Sequence, residues 1–287
     1  MPTSWAPTPE NPVNTIVISA NTLYAGGGFN LIGATKREGG AAFDIPTLTL
    51  LSWNPGASYT IDTLAVNGTK TFVGGYFGSI AGSSRSKLAA VNSVTGEVLS
   101  WNPGADQRVN ALVLLNNLVY VGGDFYSLGG STRNFLGAVH PTTGALDSFN
   151  PNPDNSVSSL IGSGTSLYVG GNFLLIAGQP KGRAAELPVS GGSPTAWNPN
   201  ANSYISSMHL DGTDMYIGGN FNDLNGTSRT GLGKVNLTTG AADPAFNANL
   251  ASAGAVNVTA LGRMLRNFTL GALSILPKLR RGITLLR

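Results

Sequence analysis

Apolar and polar residues alternate along this chain in short runs, and glycine or asparagine ends each run. The stretch from Val109 to Phe149 shows the pattern in full. Val109-Asn110-Ala111-Leu112-Val113-Leu114 predicts a first strand and Asn116-Asn117 a turn. Leu118-Val119-Tyr120-Val121 predicts a second strand, stopped by Gly122-Gly123. Phe135-Leu136-Gly137-Ala138-Val139 predicts a third. Thr142-Thr143-Gly144 makes a hairpin turn, and Ala145-Leu146-Asp147-Ser148-Phe149 predicts a fourth. Alternation and short apolar runs between turn residues are the mark of strands. No stretch carries a sustained 3.6-residue period, so no helix is predicted.

The same pattern returns every 48 residues. Trp5, Trp53, Trp101, Phe149 and Trp197 are spaced by 48, and Phe246 follows after 49. An asparagine stands directly after each from Trp53 onward, and a proline follows at Pro55, Pro103, Pro151 and Pro199. Glycine pairs at 26–27, 74–75, 122–123, 170–171 and 218–219 keep the same phase. Two residues before each pair stands an aromatic (Tyr24, Phe72, Tyr120, Tyr168, Tyr216), and two after it a phenylalanine (Phe29, Phe77, Phe125, Phe173, Phe221). Four antiparallel strands in a unit of roughly 40–50 residues match one blade of a β-propeller. The expected fold is therefore an all-β propeller of 48-residue, four-stranded blades, with five clear units and a degenerate sixth. The glycine pairs are expected to permit positive φ and close backbone approach where strands crowd. The repeated aromatics are expected to pack between blades, since one blade cannot bury both of its faces alone.

Composition narrows the chemistry. Charged residues make up 11% and hydrophobic residues 41%, which suits a packed core and argues against disorder. There is no cysteine and there are two histidines, His140 and His209, so neither disulfides nor a multi-histidine metal centre is expected. The net charge of +3 misleads. Arg263, Arg266, Lys278, Arg280, Arg281 and Arg287 supply 6 of the 17 basic residues, and no acid follows Asp243. Residues 1–262 hold 11 basic and 14 acidic residues, a net −3, so no nucleic-acid footprint is offered. Neither a secretory leader in the first 20 residues nor a membrane span is evident.

The run Leu118-Val119-Tyr120-Val121-Gly122-Gly123-Asp124-Phe125, with Gly129-Gly130, Arg133 and Leu136-Gly137-Ala138-Val139, resembles the delta-60 type bacterial propeller repeat. The Thr-Gly turn and the Trp-Asn-Pro that follow fit it too. Similar Tyr-Val-Gly-Gly-x-Phe units occur in fungal cortical cell-polarity proteins. The resemblance spans about residues 4–262 and implies a secreted or surface-exposed bacterial protein; its motifs specify the repeat and not an activity. Ala90-Val91-Asn92-Ser93-Val94-Thr95-Gly96-Glu97-Val98-Leu99-Ser100-Trp101 is similar to the tryptophan-docking motif of quinoprotein propellers, where a Thr-Gly turn and a Trp lock adjacent blades. This chain has one more residue between Gly and Trp, and lacks the vicinal cysteines and calcium-binding acids of the alcohol-dehydrogenase members. The similarity is read as shared blade mechanics.

Candidate binding residues come from the repeat itself. Arg37, Arg85, Arg133, Lys181 and Arg229 share one phase and so fall on one circle. They could form an anion-binding ring at a channel mouth, or each could cap carbonyls within the blades; presence in every unit favours capping. The residue between the glycine pair and the phenylalanine varies (Gly28, Tyr76, Asp124, Asn172, Asn220), and turn chemistry is favoured over metal ligation there. His140 stands where Asn92 and Asn236 stand in other units, a turn position. The acids are scattered singly, and no phosphate-binding loop is present. Sequons at Asn67, Asn225, Asn236 and Asn257 carry little weight in a chain so rich in Asn and Thr.

After Phe246-Asn247-Ala248-Asn249 the repeat fails, and residues 263–287 form a basic and apolar tail apart from the blade array of 1–262. The hypothesis is a reading-frame slip between about Val258 and Phe268. Phe268-Thr269-Leu270-Gly271-Ala272-Leu273-Ser274-Ile275 can be encoded so that a shifted frame spells Tyr-Val-Gly-Gly-Ala-Phe-Asn. The nucleotide sequence tests this; if no shifted frame continues the repeat, the idea is wrong. The rival is a native amphipathic tail. Trp5, already at an end-of-blade position, suggests a piece of a longer propeller.

These features predict a non-catalytic interaction scaffold, extracellular or on the cell surface, with a protein or glycan partner held by the loops and no cofactor. The alternatives are a quinoprotein-like or other channel-site enzyme, and a carbohydrate-binding propeller, which would need exposed aromatics.

Overall fold

The computed structural model describes residues 5–248 and 250 in full, and the backbone alone at Ala260–Arg263 and Ile283–Leu286. Five three-stranded antiparallel sheets follow one another, one per sequence repeat. Blade 1 holds Val13–Ser19, Thr22–Gly27 and Gly40–Asp44; blade 2 holds Ile61–Asn67, Lys70–Gly75 and Leu88–Asn92. Blade 3 holds Val109–Leu115, Leu118–Gly123 and Leu136–Val139; blade 4 holds Val157–Ser163, Ser166–Gly171 and Ala184–Pro188. Blade 5 holds Ile205–Asp211, Asp214–Gly219 and Leu232–Asn236. The chain is a β-propeller of repeated blades, and its first strands stand side by side around the axis.

Two details depart from expectation. The fourth strand shrinks to a single bridge in four blades: Phe43 with Leu50, Val91 with Val98, Val139 with Leu146 and Val235 with Ala242. In blades 1 to 3 it runs within a few residues into Asn-Pro, and proline has no amide to continue a ladder. The loop after each glycine pair also carries a small hairpin, such as Ser127–Leu128 with Ser131–Thr132. Strands of two residues are too short to show a period, so alternation could not reveal them.

At the glycine pairs the expected close approach is present and the expected positive φ is not. None of their residues has positive φ. They are there for space alone. A Cβ on the first glycine would lie 2.6 Å from a methyl of the next blade's first strand, Ile61 for Gly26 and Val109 for Gly74. A Cβ on the second would collide with a backbone carbonyl of its own blade: Pro12 for Gly27, Thr60 for Gly75, Arg108 for Gly123. Both neighbours are packed, so neither can yield.

The core lies between blades. Trp53, fully buried, packs edge-on to Tyr24 of blade 1, and its Nε1 donates to the Asn92 carbonyl of blade 2 (3.0 Å). Trp101 does the same toward His140 (2.8 Å) and Trp197 toward Asn236 (3.1 Å). The Thr-Gly turn receives this segment: a Cβ on Gly96 would come within 2.8 Å of the Asn54 backbone. The tryptophan-docking similarity thus describes real contacts. Phe149 keeps the ring contact, 5.1 Å from Tyr120, without the donor. Because each interface is made by two blades, the first strand of blade 1 differs from its equivalents: Ile16 is 40% exposed where Leu64 is 4% exposed.

Every first strand carries a β-bulge at its start, between Val13 and Thr15, Ile61 and Thr63, Val109 and Ala111, Val157 and Ser159, and Ile205 and Ser207. The extra residue in each is polar: Asn14, Asp62, Asn110, Ser158 and Ser206. Bulges re-aim a side chain, and here they set a ring of polar groups on the face that also carries the glycine-pair loops.

Beyond blade 5, Ala260–Arg263 lies beside Ile205–Asp211 and pairs in parallel with Ile283–Leu286, unlike any pairing within the blades. Apart from Ala260–Arg263 and Ile283–Leu286, the interval of the proposed frame slip and the 263–287 tail lie outside the described residues. Among the described residues no helix is long and apolar enough to cross a membrane.

Candidate functional site

The five repeated cations sit at the outer rim of the blades. Arg37 donates to the carbonyls of Lys36 (2.8 Å) and Leu51 (2.5 Å), Arg85 to Ser84 and Leu99, and Arg133 to Thr132 and Asp147. Lys181 donates to Thr195 and Trp197, and Arg229 to Ser228, Asp243 and Pro244. Each thereby ties the small hairpin to the outermost segment of its own blade. Burial of the head group pushes the Arg37 and Lys181 pKa values down. These are carbonyl-capping bonds, and they occupy the rim and not the axis.

Strand register separates two faces. The tight turns, such as Asn116-Asn117, lie at one end of the strands; the glycine pairs, the bulges and the lead-in to each first strand lie at the other. The repeat breaks on this second face, called the loop face here. Position by position, Asn11 becomes Tyr59, Gly28 becomes Tyr76, Pro12 becomes Arg108, and Asn30 becomes Tyr126 in other blades.

Asp62 is the polar hub. It accepts from Asn14 (2.7 Å), Thr60 (3.3 Å) and, in a two-point bond, Arg108 Nε (2.8 Å) and Nη2 (2.7 Å). The Asp62 side chain is 7% exposed while that of Arg108 is 45% exposed. The pair therefore holds a guanidinium in fixed orientation with one edge facing water. The bond to Asp62 is the main cause of the raised Arg108 pKa, with Asp124 and Tyr204 adding to it. Asn110 donates to Asp124 (3.0 Å) and to the Val157 carbonyl, which links blades 3 and 4. Tyr204, whose phenol is pushed up by burial, bonds Ser158. Asp124, one of the variable loop residues, so serves this network.

Beside the hub lie exposed aromatics. Tyr59 is 63% exposed and meets Tyr76 edge-on at 6.0 Å; Lys87 Nζ sits 5.2 Å over the Tyr76 ring. Tyr126, also exposed, meets Phe135 at 5.0 Å. A groove of about 430 Å³ opens next to Tyr59, between the loops of blade 1 and the lead-in of blade 2. The candidate site comprises Tyr59, Tyr76, Tyr126, Asp62 and Arg108. Of these, only Tyr76 lies at a position singled out from sequence. The available signal was departure from the repeat, at positions where the units differ from one another.

Such a site on such a fold places the chain in the class of β-propellers. No protein-family profile matches it, and no curated protein matches it in sequence. Solved structures share the fold. The WD40 repeats of RRP9 superpose with a TM-score of 0.58 at 12% identity, over 84% of this chain and 66% of that one. A chain from the Mitotic Checkpoint Complex reaches 0.60 at 14% identity, over 88% and 69%. The computationally designed Ika8 protein reaches 0.53 at 16% identity, over 86% and 64%. The chain thus spans about two thirds of the length of the propellers it matches. At these identities the likeness concerns the fold alone.

Proposed function

We propose that this chain is a non-catalytic propeller scaffold of a bacterial secreted or cell-surface protein, and that it binds its partner on the loop face. One observation carries this reading: blades that are otherwise uniform diverge on that face into exposed Tyr59, Tyr76 and Tyr126 beside a braced Arg108. Aromatic and arginine residues are the types that dominate binding hot spots. Rigid strands and bulges hold them in place, as a preorganised surface requires. A surface or secreted location follows from the resemblance to delta-60 repeats.

A photo-crosslinking amino acid at position 126, in the source cell, tests the binding face. A partner should be captured there and not from position 94, an exposed residue in a turn of the opposite face. Equal capture from both positions, or none from 126, sinks the proposal. Labelling of intact cells with an impermeant amine reagent tests the location; a chain that reacts only after lysis is not on the surface.

A further inference from the structure

We infer that the groove between blades 1 and 2 is a binding site for a neutral saccharide, a mono- or disaccharide unit with Tyr59 as its platform. This deepens the reading that the loop face is the binding face. Three features of the groove lead there. First, its volume of about 430 Å³ falls within the roughly 300–1,000 Å³ of small-ligand sites. Second, its lining mixes one exposed aromatic with amides and hydroxyls: Asn11, Asn30, Ser58, Thr60 and Tyr59. Sugars present an apolar C–H face and a polar edge, and this lining offers a counterpart to each. Third, the lining has no carboxylate, ammonium or guanidinium. Charged groups stand around the lining and not in it: Asp62 accepts from Asn14, Thr60 and Arg108, Glu10 accepts from the Asn30 amide, and Lys87 lies over Tyr76. The lining itself therefore favours a neutral ligand over a charged one.

The platform is braced before any ligand arrives. Tyr59 rests edge-on against Tyr76, and Lys87 lies over Tyr76 in turn. The Ser58 hydroxyl accepts from the amides of Gly78 and Ser79 (both 3.0 Å), which pins the loop carrying Tyr59. The floor is open because blade 1 has glycine at position 28. Other blades hold Tyr76, Asp124, Asn172 and Asn220 there. A Cβ on Gly28 would meet only the Thr60 methyl at 3.4 Å, an ordinary contact, and its φ is not positive. Any side chain at 28 can therefore be accommodated by the backbone, and a large one would project into the groove. Among the described blades, only the interface of blades 1 and 2 joins a glycine at the repeat position of Gly28 to a tyrosine at that of Tyr59.

The test is saturation-transfer NMR on the full chain. The probes are neutral hexose and N-acetylhexosamine disaccharides, a uronic-acid disaccharide and a short uncharged peptide. Transfer to at least one neutral disaccharide is expected. Tyr59→Ala should weaken it about tenfold or more, and Gly28→Asn should abolish it. Val94→Ser, on the opposite face, should leave it unchanged, with all three variants melting as the parent does. No transfer to any neutral sugar overturns the inference. So does transfer that survives both groove variants, or stronger transfer to the acidic sugar or the peptide. If sugars fail while position 126 still captures a partner, the saccharide site falls and the scaffold reading stands. If both fail, the loop face is not the binding face.

Discussion

Replacing Trp101 with phenylalanine isolates what holds one blade to the next. Trp101 is 3% exposed, meets Phe72 edge-on at 4.9 Å, and donates Nε1 to the His140 carbonyl of the following blade at 2.8 Å. Phenylalanine keeps a six-membered ring there and removes the donor. The His140 carbonyl keeps its bond from the Gly144 amide, so the loss is one net hydrogen bond, about 0.5–1.5 kcal/mol. The pyrrole atoms that lie 3.4 Å from where a Gly144 Cβ would stand are also lost, adding about 1 kcal/mol by analogy with small core truncations. The expected destabilisation is about 1.5–2.5 kcal/mol, or roughly ten- to seventyfold in the local opening constant. In a stacked array the loss belongs to the interface that was cut. Native-state hydrogen exchange reads it. The Gly144 amide, bonded to the His140 carbonyl, should lose protection, while the Gly240 amide at the junction of blades 4 and 5 should not. Unchanged exchange at Gly144, or equal loss at both sites, would refute the reasoning. The chain carries its own control in Phe149, where the donor is already missing.

Gly123→Ala should prevent folding or lower stability by more than about 3 kcal/mol, because its Cβ collides with the Arg108 carbonyl; Gly78→Ala, with open space around it, should stay within about 0.5 kcal/mol in a denaturant melt. Arg85→Gln should lower stability by about 1–3 kcal/mol through the unmade bonds to the Ser84 and Leu99 carbonyls. It should leave partner capture at position 126 unchanged; lost capture in a folded variant would revive the ring as a binding feature. The Tyr168 pKa is raised to about 12, first by burial and then by Glu186. A group raised in the folded state holds its full stabilisation below its unfolded value of 10.0 and loses it as pH climbs toward the folded value. Melting temperature should therefore fall between about pH 10 and 12, and less steeply in Tyr168→Phe. Tyrosinate absorbance that rises by one further phenol near pH 10 in the parent would contradict the shift.

The fold was legible because its cause is repetition. Aromatics and glycine pairs at a spacing of 48 state where strands stop and where blades meet, and no long-range knowledge is needed to see them. Even the Trp-Asn-Pro and Thr-Gly signals, which meet only between blades, stand in sequence at a constant offset. Sequence left open which purpose a residue serves where one type can serve two. Glycine can mean positive φ or missing bulk, and only the Pro12 and Arg108 carbonyls facing Gly27 and Gly123 decide for bulk. The cations were seen, and their partners were not, since Leu51 and Leu99 accept through carbonyls that every residue has.

By itself the sequence determined the architecture, the blade count of the regular array and the places where aromatics lock neighbours, because each is a local pattern multiplied. Tertiary structure alone decided which departures from that pattern matter. Tyr59 and Gly28 lie 31 residues apart, and Asp62 and Arg108 lie 46 apart. They become one surface because a bulge sets Asp62 beneath Arg108 and because successive blades bring the same end of every strand to the same face. Proximity of that kind depends on register and twist, which no single stretch of residues encodes.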